Sequence, residues 1–311
     1  MDRIPVAKTI SGAYGFAFGN ILSVLGIIWF PYVILAAIAA GAVFGLAPGL
    51  LGDIMHGEIG PPLFFAIARV AGVIWLASIV IHAMVMVGLQ QKALGRHEGN
   101  SFFFFSLDAP VWRMIGAMFL AFLVLLLIFA LTAAAAAAAS FAAVKFVPHG
   151  GNAIAAVAVI AAVLWCIYAS VRLTFLLPAV VVAEERIGLG RSWELGGGNF
   201  WRMVAVFLAV FVPAAIGLGI VSQALIGPFI AFPPDFASHF GQHMTPEEIG
   251  NAYATFFISM SKQMVAAWPV FLIIQAIETV IYQGLGNGMI ANAYLGVTSS
   301  GSGMSGTKGS A

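Results

Sequence analysis

Residues 114–144 read MIGAMFLAFLVLLLIFALTAAAAAAASFAAV, and no charged side chain interrupts the stretch between Arg113 and Lys145. About 20 consecutive apolar residues are enough for a helix to cross the hydrocarbon core of a bilayer. The stretch exceeds that length, so it predicts a transmembrane helix that tilts or extends beyond the hydrocarbon. It decides the fold class, because a helix that is apolar on every face is stable only when it is surrounded by protein or lipid.

The composition of the whole chain agrees with a membrane location. Of the 311 residues, 62% are hydrophobic and only 8% are charged, whereas soluble domains carry roughly 25% charged residues. The formal net charge is +1, and no basic patch with interleaved aromatic residues is present, so we expect no nucleic-acid partner. Cys166 is the only cysteine, which excludes an internal disulfide and a cysteine-based metal site.

Five further stretches are long and apolar enough to span a membrane. They predict an all-α integral membrane protein with six spans, at about 21–46, 64–90, 113–144, 153–182, 200–230 and 265–296. We interpret residues 1–298 as one membrane domain and the Gly/Ser-rich residues 299–311 as a flexible tail. The first stretch exceeds the roughly 7–15 apolar residues of a signal peptide, so we interpret it as an uncleaved span.

Lysine and arginine are unevenly distributed over the segments between these spans. With a cytoplasmic N-terminus, the outer segments hold only Lys145 and Lys262. The inner segments hold Arg3, Lys8, Lys92, Arg96, Arg113, Arg186, Arg191, Arg202 and Lys308. Because cytoplasmic loops carry an excess of lysine and arginine, both termini are predicted to be cytoplasmic.

Short motifs recur at the same point of successive hairpins. Residues 112–114 and 201–203 both read Trp-Arg-Met at the start of an outgoing span, and residues 19–20 and 198–199 both read Gly-Asn. These matches predict three successive helical hairpins, with short interfacial helices before the outgoing spans. For residues 6–17, a simple extension of the first span is the alternative.

The same motifs suggest how the spans are anchored. We expect Trp112, Trp193 and Trp201 at headgroup level as interfacial anchors. Asn20 and Asn199 are expected to be N-caps of the spans that follow them. A ligand-binding role for these residues is the alternative.

Glycine and proline predict where the backbone changes direction. Gly198 should end an interfacial helix in the left-handed conformation. Kinks are expected at Pro31, Pro178 and Pro213, which lie inside apolar stretches.

Residues 190–195, Gly-Arg-Ser-Trp-Glu-Leu, and 198–202, Gly-Asn-Phe-Trp-Arg, resemble the signature of a known membrane domain. It is the domain fused to some glycerophosphoryl diester phosphodiesterases, and residues 172–182 are similar to it too. The resemblance extends to related six-helix bacterial proteins, which implies a location in the bacterial cytoplasmic (inner) membrane. The phosphodiesterase activity is not implied, because we expect no room for the hydrolase barrel after six spans.

Glu278 is the only carboxylate inside a predicted span. A charged side chain at the centre of a span costs about 2.5–3.5 kcal/mol on insertion scales, so Glu278 should face other helices. Gln275, Glu278 and Tyr282 share one helical face, and Asn287 continues the polar character. With Arg172 they form a candidate polar cavity; the alternative is a buried hydrogen-bonded cluster that holds helices together.

Two arginines lie within or at the edge of spans. The repeat register places Arg69 and Arg172 each roughly 12–14 Å from Glu278 in depth, at about 1.5 Å per residue. That separation exceeds direct pairing, so both side chains are predicted to extend to opposite interfaces.

Small residues in two spans predict close helix packing. They are Gly284, Gly286 and Gly288 in the last span and the alanine run 133–139. Unwound backbone that lines a cavity is the alternative for the glycines.

The long outer loop predicts a helix. Residues 245–248, Thr-Pro-Glu-Glu, have the pattern of a capped helix start. His239 and His243 have the spacing of a metal-binding pair, but no third ligand is evident, so we expect no metal.

No motif of a nucleophile or of a phosphate-binding loop is present, so we expect no cofactor and no enzymatic activity. The leading interpretation is a non-enzymatic polytopic membrane protein that handles lipid or a small apolar solute, or that is a membrane-embedded partner in an assembly. Membrane lipids are the expected partners, and a protein partner or homo-oligomer stays open. The alternatives are a transporter or channel that uses the polar cluster around Glu278, and an intramembrane enzyme acting on lipid substrates.

Overall fold

A computed structural model describes residues 3–50, 52, 60–96, 102–147, 149–227 and 245–299. In these residues the chain is helical and contains no strand. The helices are α1 (Val6–Gly19), α2 (Ile21–Leu46), α3 (Pro61–Ala93), α4 (Ala109–Phe146), α5 (Gly151–Thr174), α6 (Leu177–Ala183), α7 (Leu189–Gly196), α8 (Phe200–Ile226), α9 (Pro246–Ala266) and α10 (Trp268–Ser299).

Six helical segments in the described part of the chain are long and apolar enough to cross a membrane. They are α2, α3, α4, α5 together with α6, α8 and α10. The predicted fold class, an all-α membrane protein with six spans, is therefore confirmed. The last three residues of the predicted fifth span and residues 300–311 lie outside the described residues.

The segment before the first span forms a helix of its own. α1 ends at Gly19 and α2 begins at Ile21. Asn20 joins them, with its N–H bonded to the Phe16 carbonyl and its carbonyl bonded to the Val24 N–H. A short helix therefore precedes α2, and Asn20 alone separates the two helices.

Pro178 interrupts the fourth span. α5 ends at Thr174, and α6 begins at Leu177 with Pro178 in its first turn, where the missing N–H of proline costs no helical hydrogen bond. Six of the seven α6 residues are buried. The break at Pro178 is thus complete, whereas Pro31 and Pro213 lie within continuous helices.

The predicted capped helix start at Thr245 is confirmed, and the helix that follows it is α9. The Thr245 hydroxyl accepts a hydrogen bond from the Glu248 N–H, and the Glu248 carboxylate accepts one from the Thr245 N–H. This reciprocal pair satisfies two donors at the helix start. His239 and His243 lie outside the described residues.

The described residues form two compact units. The first unit contains those up to Ile27, those from His82 to Phe211 and those from Gln283 onward, and the second contains Ile28–Ile81 and Val212–Tyr282. In the second unit, the end of α2 packs on the start of α3 through a buried apolar cluster. The cluster consists of Ala42, Ala47, Leu50, Leu63 and Val70.

In the first unit, α1 packs against glycines of α10. A Cβ atom added to Gly288 would lie 2.9 Å from Phe16 Cβ and 3.2 Å from the Ala13 carbonyl oxygen, and one added to Gly284 would lie 3.2 Å from Ala17 Cα. α10 is a continuous helix through both glycines. The prediction of close packing at these glycines is therefore confirmed, and the alternative of unwound backbone is wrong.

Replacing Gly288 by alanine is expected to destabilise the protein, although alanine favours a helix by roughly 0.5–1 kcal/mol over glycine. The reason is the close contact of the new methyl group with Phe16 and with the α1 backbone. Gly15→Ala in α1 is the matched control, because a Cβ there has no atom within 4 Å, and it should be neutral or stabilising. Thermal unfolding in detergent measures both; equal melting temperatures for the two variants would contradict the packing.

Candidate functional site

Four arginines in the described part of the first unit donate hydrogen bonds to backbone carbonyls of other segments. The carbonyls lie at helix ends or in the segments between helices, where intrahelical partners are missing. The bonds run from Arg96 to Ala183 (2.8 Å), from Arg113 to Glu185, from Arg172 to Trp193 (2.9 Å) and from Arg202 to Ile4 (2.9 Å). We call these four side chains the arginine clamps, because each fixes a stretch of backbone outside its own helix.

The backbone N–H and the backbone carbonyl of Ile4, just before α1, both bond to side chains of the segment around the start of α8. Its N–H donates to Asn199 Oδ1 at 3.0 Å, and its carbonyl accepts from Arg202. Asn199 Nδ2 also donates to the Leu195 carbonyl at 3.2 Å. The Gly-Asn and Trp-Arg motifs at the start of α8 therefore bind the segment that leads into α1, while Gly198 has the predicted left-handed conformation, with φ of 74°.

Arg172 is enclosed by α7 and by an aromatic side chain of its own helix. Nε donates to the Trp193 carbonyl in the last turn of α7, and Nη1 donates to the Tyr168 hydroxyl at 2.7 Å. The guanidinium also lies 4.2 Å from the centroid of the Trp193 ring, a cation–π contact. Protein groups therefore hold this guanidinium, whereas the sequence predicted that it extends to the headgroup region.

Glu184, directly after α6, is the centre of a charged cluster. Its carboxylate accepts hydrogen bonds from Arg186 Nε (3.1 Å), Arg191 Nε (3.2 Å) and the Tyr294 hydroxyl (3.3 Å). Burial alone would raise the pKa of the Glu184 carboxyl, but the hydrogen bonds and positive charges of Arg186 and Arg191 outweigh burial and hold the pKa below its usual value. The next residue, Glu185, has φ of 53°, which is unfavourable for residues other than glycine, and its carbonyl accepts the hydrogen bond from Arg113.

The residues of the predicted polar cavity have separate partners. In the second unit, Glu278 Oε1 accepts a hydrogen bond from the Ser222 hydroxyl at 2.6 Å, Tyr282 is half-buried, and Gln275 is exposed with its amide 3.5 Å from Thr279. Ser222 lies in α8, so this bond connects α8 to α10.

In the first unit, Asn287 is buried between α3 and α10. Its Oδ1 accepts from Gln90 Nε2 at 3.0 Å, and its Nδ2 donates to the Gln283 carbonyl at 2.9 Å. Arg172 of the same unit binds Trp193 and Tyr168 instead. The structure therefore does not bring Asn287 and Arg172 together.

The three predicted tryptophan anchors have two kinds of surroundings. Trp112 and Trp201 lie in the first turns of α4 and α8 and are 57% and 78% exposed. Trp193 contacts Arg172 and Tyr168 instead. Exposure at the start of a span is the arrangement found in aromatic belts.

An apolar cleft of about 680 Å³ lies between α4 and α5. Small side chains form much of its wall, and the helices approach closely beyond one end, where a Cβ added to Gly151 would lie 2.5 Å from the Ala143 carbonyl oxygen. The cleft is lined by Phe129, Thr132, Ala133, Ala136, Ala137, Ser140, Val159, Ala162, Val163, Cys166, Ile167, Ser170 and Val171. The alanine run thus borders an open space at Ala133, Ala136 and Ala137, so the close helix packing predicted for the run is wrong at these residues.

The length of the cleft follows from its lining residues. On α4 it extends from Phe129 to Ser140, and on α5 from Val159 to Val171, which correspond to about 16 and 18 Å at about 1.5 Å per residue. One leaflet of the hydrocarbon core is about 15 Å thick. The cleft therefore has the length of one leaflet.

Comparisons of the chain with protein-family models, with curated proteins and with solved structures find no match. The resemblance to the membrane domain of glycerophosphoryl diester phosphodiesterases therefore has no support beyond the motif itself. In this structure the motif residues Arg172, Trp193, Asn199 and Arg202 hold backbone segments in place.

Glu184→Gln is expected to lower the melting temperature at neutral pH, because it removes the charge that binds Arg186 and Arg191. A carboxyl whose pKa is lowered in the folded state stabilises the protein above its usual pKa of about 4.3 and loses that contribution as the pH falls through the folded-state value. Acidification below about pH 4 should therefore destabilise the wild type more than Glu184→Gln.

Glu194→Gln is the control for this prediction, since the Glu194 side chain is 63% exposed and lies 3.5 Å from Arg191. Its melting temperature should remain close to that of the wild type. Parallel pH profiles of the wild type and Glu184→Gln in detergent would contradict the role of Glu184.

Proposed function

We propose that this chain is a non-enzymatic polytopic membrane protein that binds a lipid, with one acyl chain in the cleft between α4 and α5. The observation that carries the proposal is the cleft itself, which is apolar and as long as one leaflet. Its volume of about 680 Å³ is within the roughly 300–1,000 Å³ of small-molecule sites.

The surroundings of the cleft support access from the bilayer. Large apolar side chains are exposed on the other faces of the two helices, such as Phe122 and Leu127 on α4 and Val157 and Ile160 on α5. Such faces are stable in hydrocarbon. An acyl chain could therefore enter the cleft sideways without crossing water.

The size of the cleft favours an acyl chain over a transmembrane helix. α4 and α5 approach closely beyond one end of the cleft, where a Cβ added to Gly151 would lie 2.5 Å from the Ala143 carbonyl oxygen, so a third helix about 10 Å in diameter cannot enter between them there. A single extended chain fits within that space without separating α4 from α5. We therefore assign the cleft to lipid and make helix binding an outcome of the tests below.

The proposal includes an internal repeat and an orientation. In the two Trp-Arg-Met motifs, 112–114 and 201–203, the methionine is fully buried, the tryptophan is exposed and the arginine donates to a carbonyl in the segment before a short helix. This parallel supports repeated hairpins. We propose that the arginine clamps face the cytoplasm of a bacterial cell, where an excess of arginine is expected.

Ala136→Trp should reduce the amount of phospholipid that stays bound through purification several-fold, because the indole would fill the cleft. Ala138→Trp is the matched control: Ala138 belongs to the same alanine run, is exposed and does not line the cleft. Native mass spectrometry of both variants counts the bound lipids. Unchanged lipid in Ala136→Trp would contradict the proposal, and loss of a co-purifying protein instead would favour a helix as the occupant.

Cys166 offers a second measurement, since it is the only cysteine of the chain and lines the cleft. Alkylation by N-ethylmaleimide in detergent should slow when phospholipid is added, because the acyl chain shields the thiol. Cysteine introduced at position 138 in a Cys166→Ser background should react at a rate that lipid leaves unchanged. Equal effects of lipid at the two positions would exclude specific shielding.

A further inference from the structure

The hydroxyl group of Ser140 has an unusual environment for a serine in a membrane span. Its oxygen is shielded from solvent and has no hydrogen-bond partner among the described residues. Ser140 also lines the cleft between α4 and α5. Because an unpaired hydroxyl in apolar surroundings is costly, a ligand atom that can accept its hydrogen bond would be stabilised there.

Three other hydroxyl groups in the spans bond to a carbonyl of their own helix. Ser170, which lines the same cleft, donates to the Cys166 carbonyl at 2.7 Å, and Thr174 donates to the Ser170 carbonyl at 2.8 Å. Thr298 in α10 has the same kind of bond to Tyr294. Such a bond to the preceding turn is common for serine and threonine in a helix, and Ser140 lacks one although its oxygen is shielded from solvent.

The depth of Ser140 matches a particular part of a lipid. It lies at the end of the cleft nearest the hairpin turn, six residues before Phe146, the last residue of α4, which is about 9 Å along the helix. Phe129, at the other end of the cleft, is eleven residues further in. A lipid whose chain fills the cleft would therefore have the beginning of that chain at Ser140, close to the boundary between headgroups and hydrocarbon.

We infer that the cleft binds an ester-linked acyl chain of a glycerolipid, with the Ser140 hydroxyl turning about its Cα–Cβ bond toward the cleft and donating a hydrogen bond to the ester carbonyl. This inference rests on the proposed lipid binding and specifies its ligand. The carbonyl oxygen is the acceptor that Ser140 lacks, and the methylene chain extends from it along the alanines to Phe129. An ether-linked chain fills the same space but has no carbonyl oxygen at this position.

The test compares two phospholipids with the same headgroup and chain length, one diacyl and one dialkyl ether, in competition for detergent-purified full-length protein. Native mass spectrometry reads the ratio of the two bound species. The wild type should prefer the ester lipid by roughly two- to tenfold, which is the effect of one net hydrogen bond. Ser140→Ala should bind both lipids equally, and Ser170→Ala, in the same cleft, should keep the preference.

The possible outcomes separate this inference from the proposed function. If the wild type retains both lipids equally while Ala136→Trp still removes them, the ester carbonyl has no role, but acyl-chain binding stands. An ester preference that persists in Ser140→Ala also overturns the assignment to Ser140. If the wild type retains neither lipid, lipid binding itself fails. The ratio in the wild type needs no variant, so an equal ratio overturns the inference even if Ser140→Ala does not fold.

Discussion

Hydrogen bonds from arginine side chains to backbone carbonyls are the interactions on which the first unit depends. Segments that connect spans expose carbonyl groups without helical partners, and near a bilayer such groups must find partners within the protein where water is excluded. Arginine remains charged and has five donors, so one side chain can hold a carbonyl and still make further contacts. The arginine clamps thereby fix the segments around α1, α6 and α7.

Much of the fold could be predicted because each helix that crosses a bilayer needs about 20 consecutive, mostly apolar residues, and such stretches are visible in the sequence. The first predicted span, 21–46, coincides with α2, and local backbone rules predicted the left-handed Gly198 and the capped start of α9. At Pro178 they predicted a kink, where the structure has a complete break. Each of these features depends on neighbouring residues. The partners of the arginines are not determined by neighbouring residues. Arg202 and Ile4, for example, are 198 positions apart, and nothing in the sequence near either residue specifies the other.

The contacts made by the candidate site residues could not be predicted from the sequence either. Helical spacing predicts which residues share a face of α10, but it does not specify which helix they meet. Glu278 and Asn287 belong to different compact units and bond to Ser222 and Gln90, on two other helices. The cleft was also beyond prediction, because it needs the register between the alanine run on α4 and small residues on α5.

The packing of α1 on the glycines of α10 has a consequence for biosynthesis. α1 is made well before the residues that hold it: Asn199 and Arg202, which bind Ile4, and Gly284 and Gly288, on which α1 packs. At about 5–20 residues per second, the ribosome needs roughly 15–60 seconds to extend the chain from α1 to the glycines of α10. During that interval the buried face of α1 lacks its final partner, so α1 reaches its final position only after the later helices have been made.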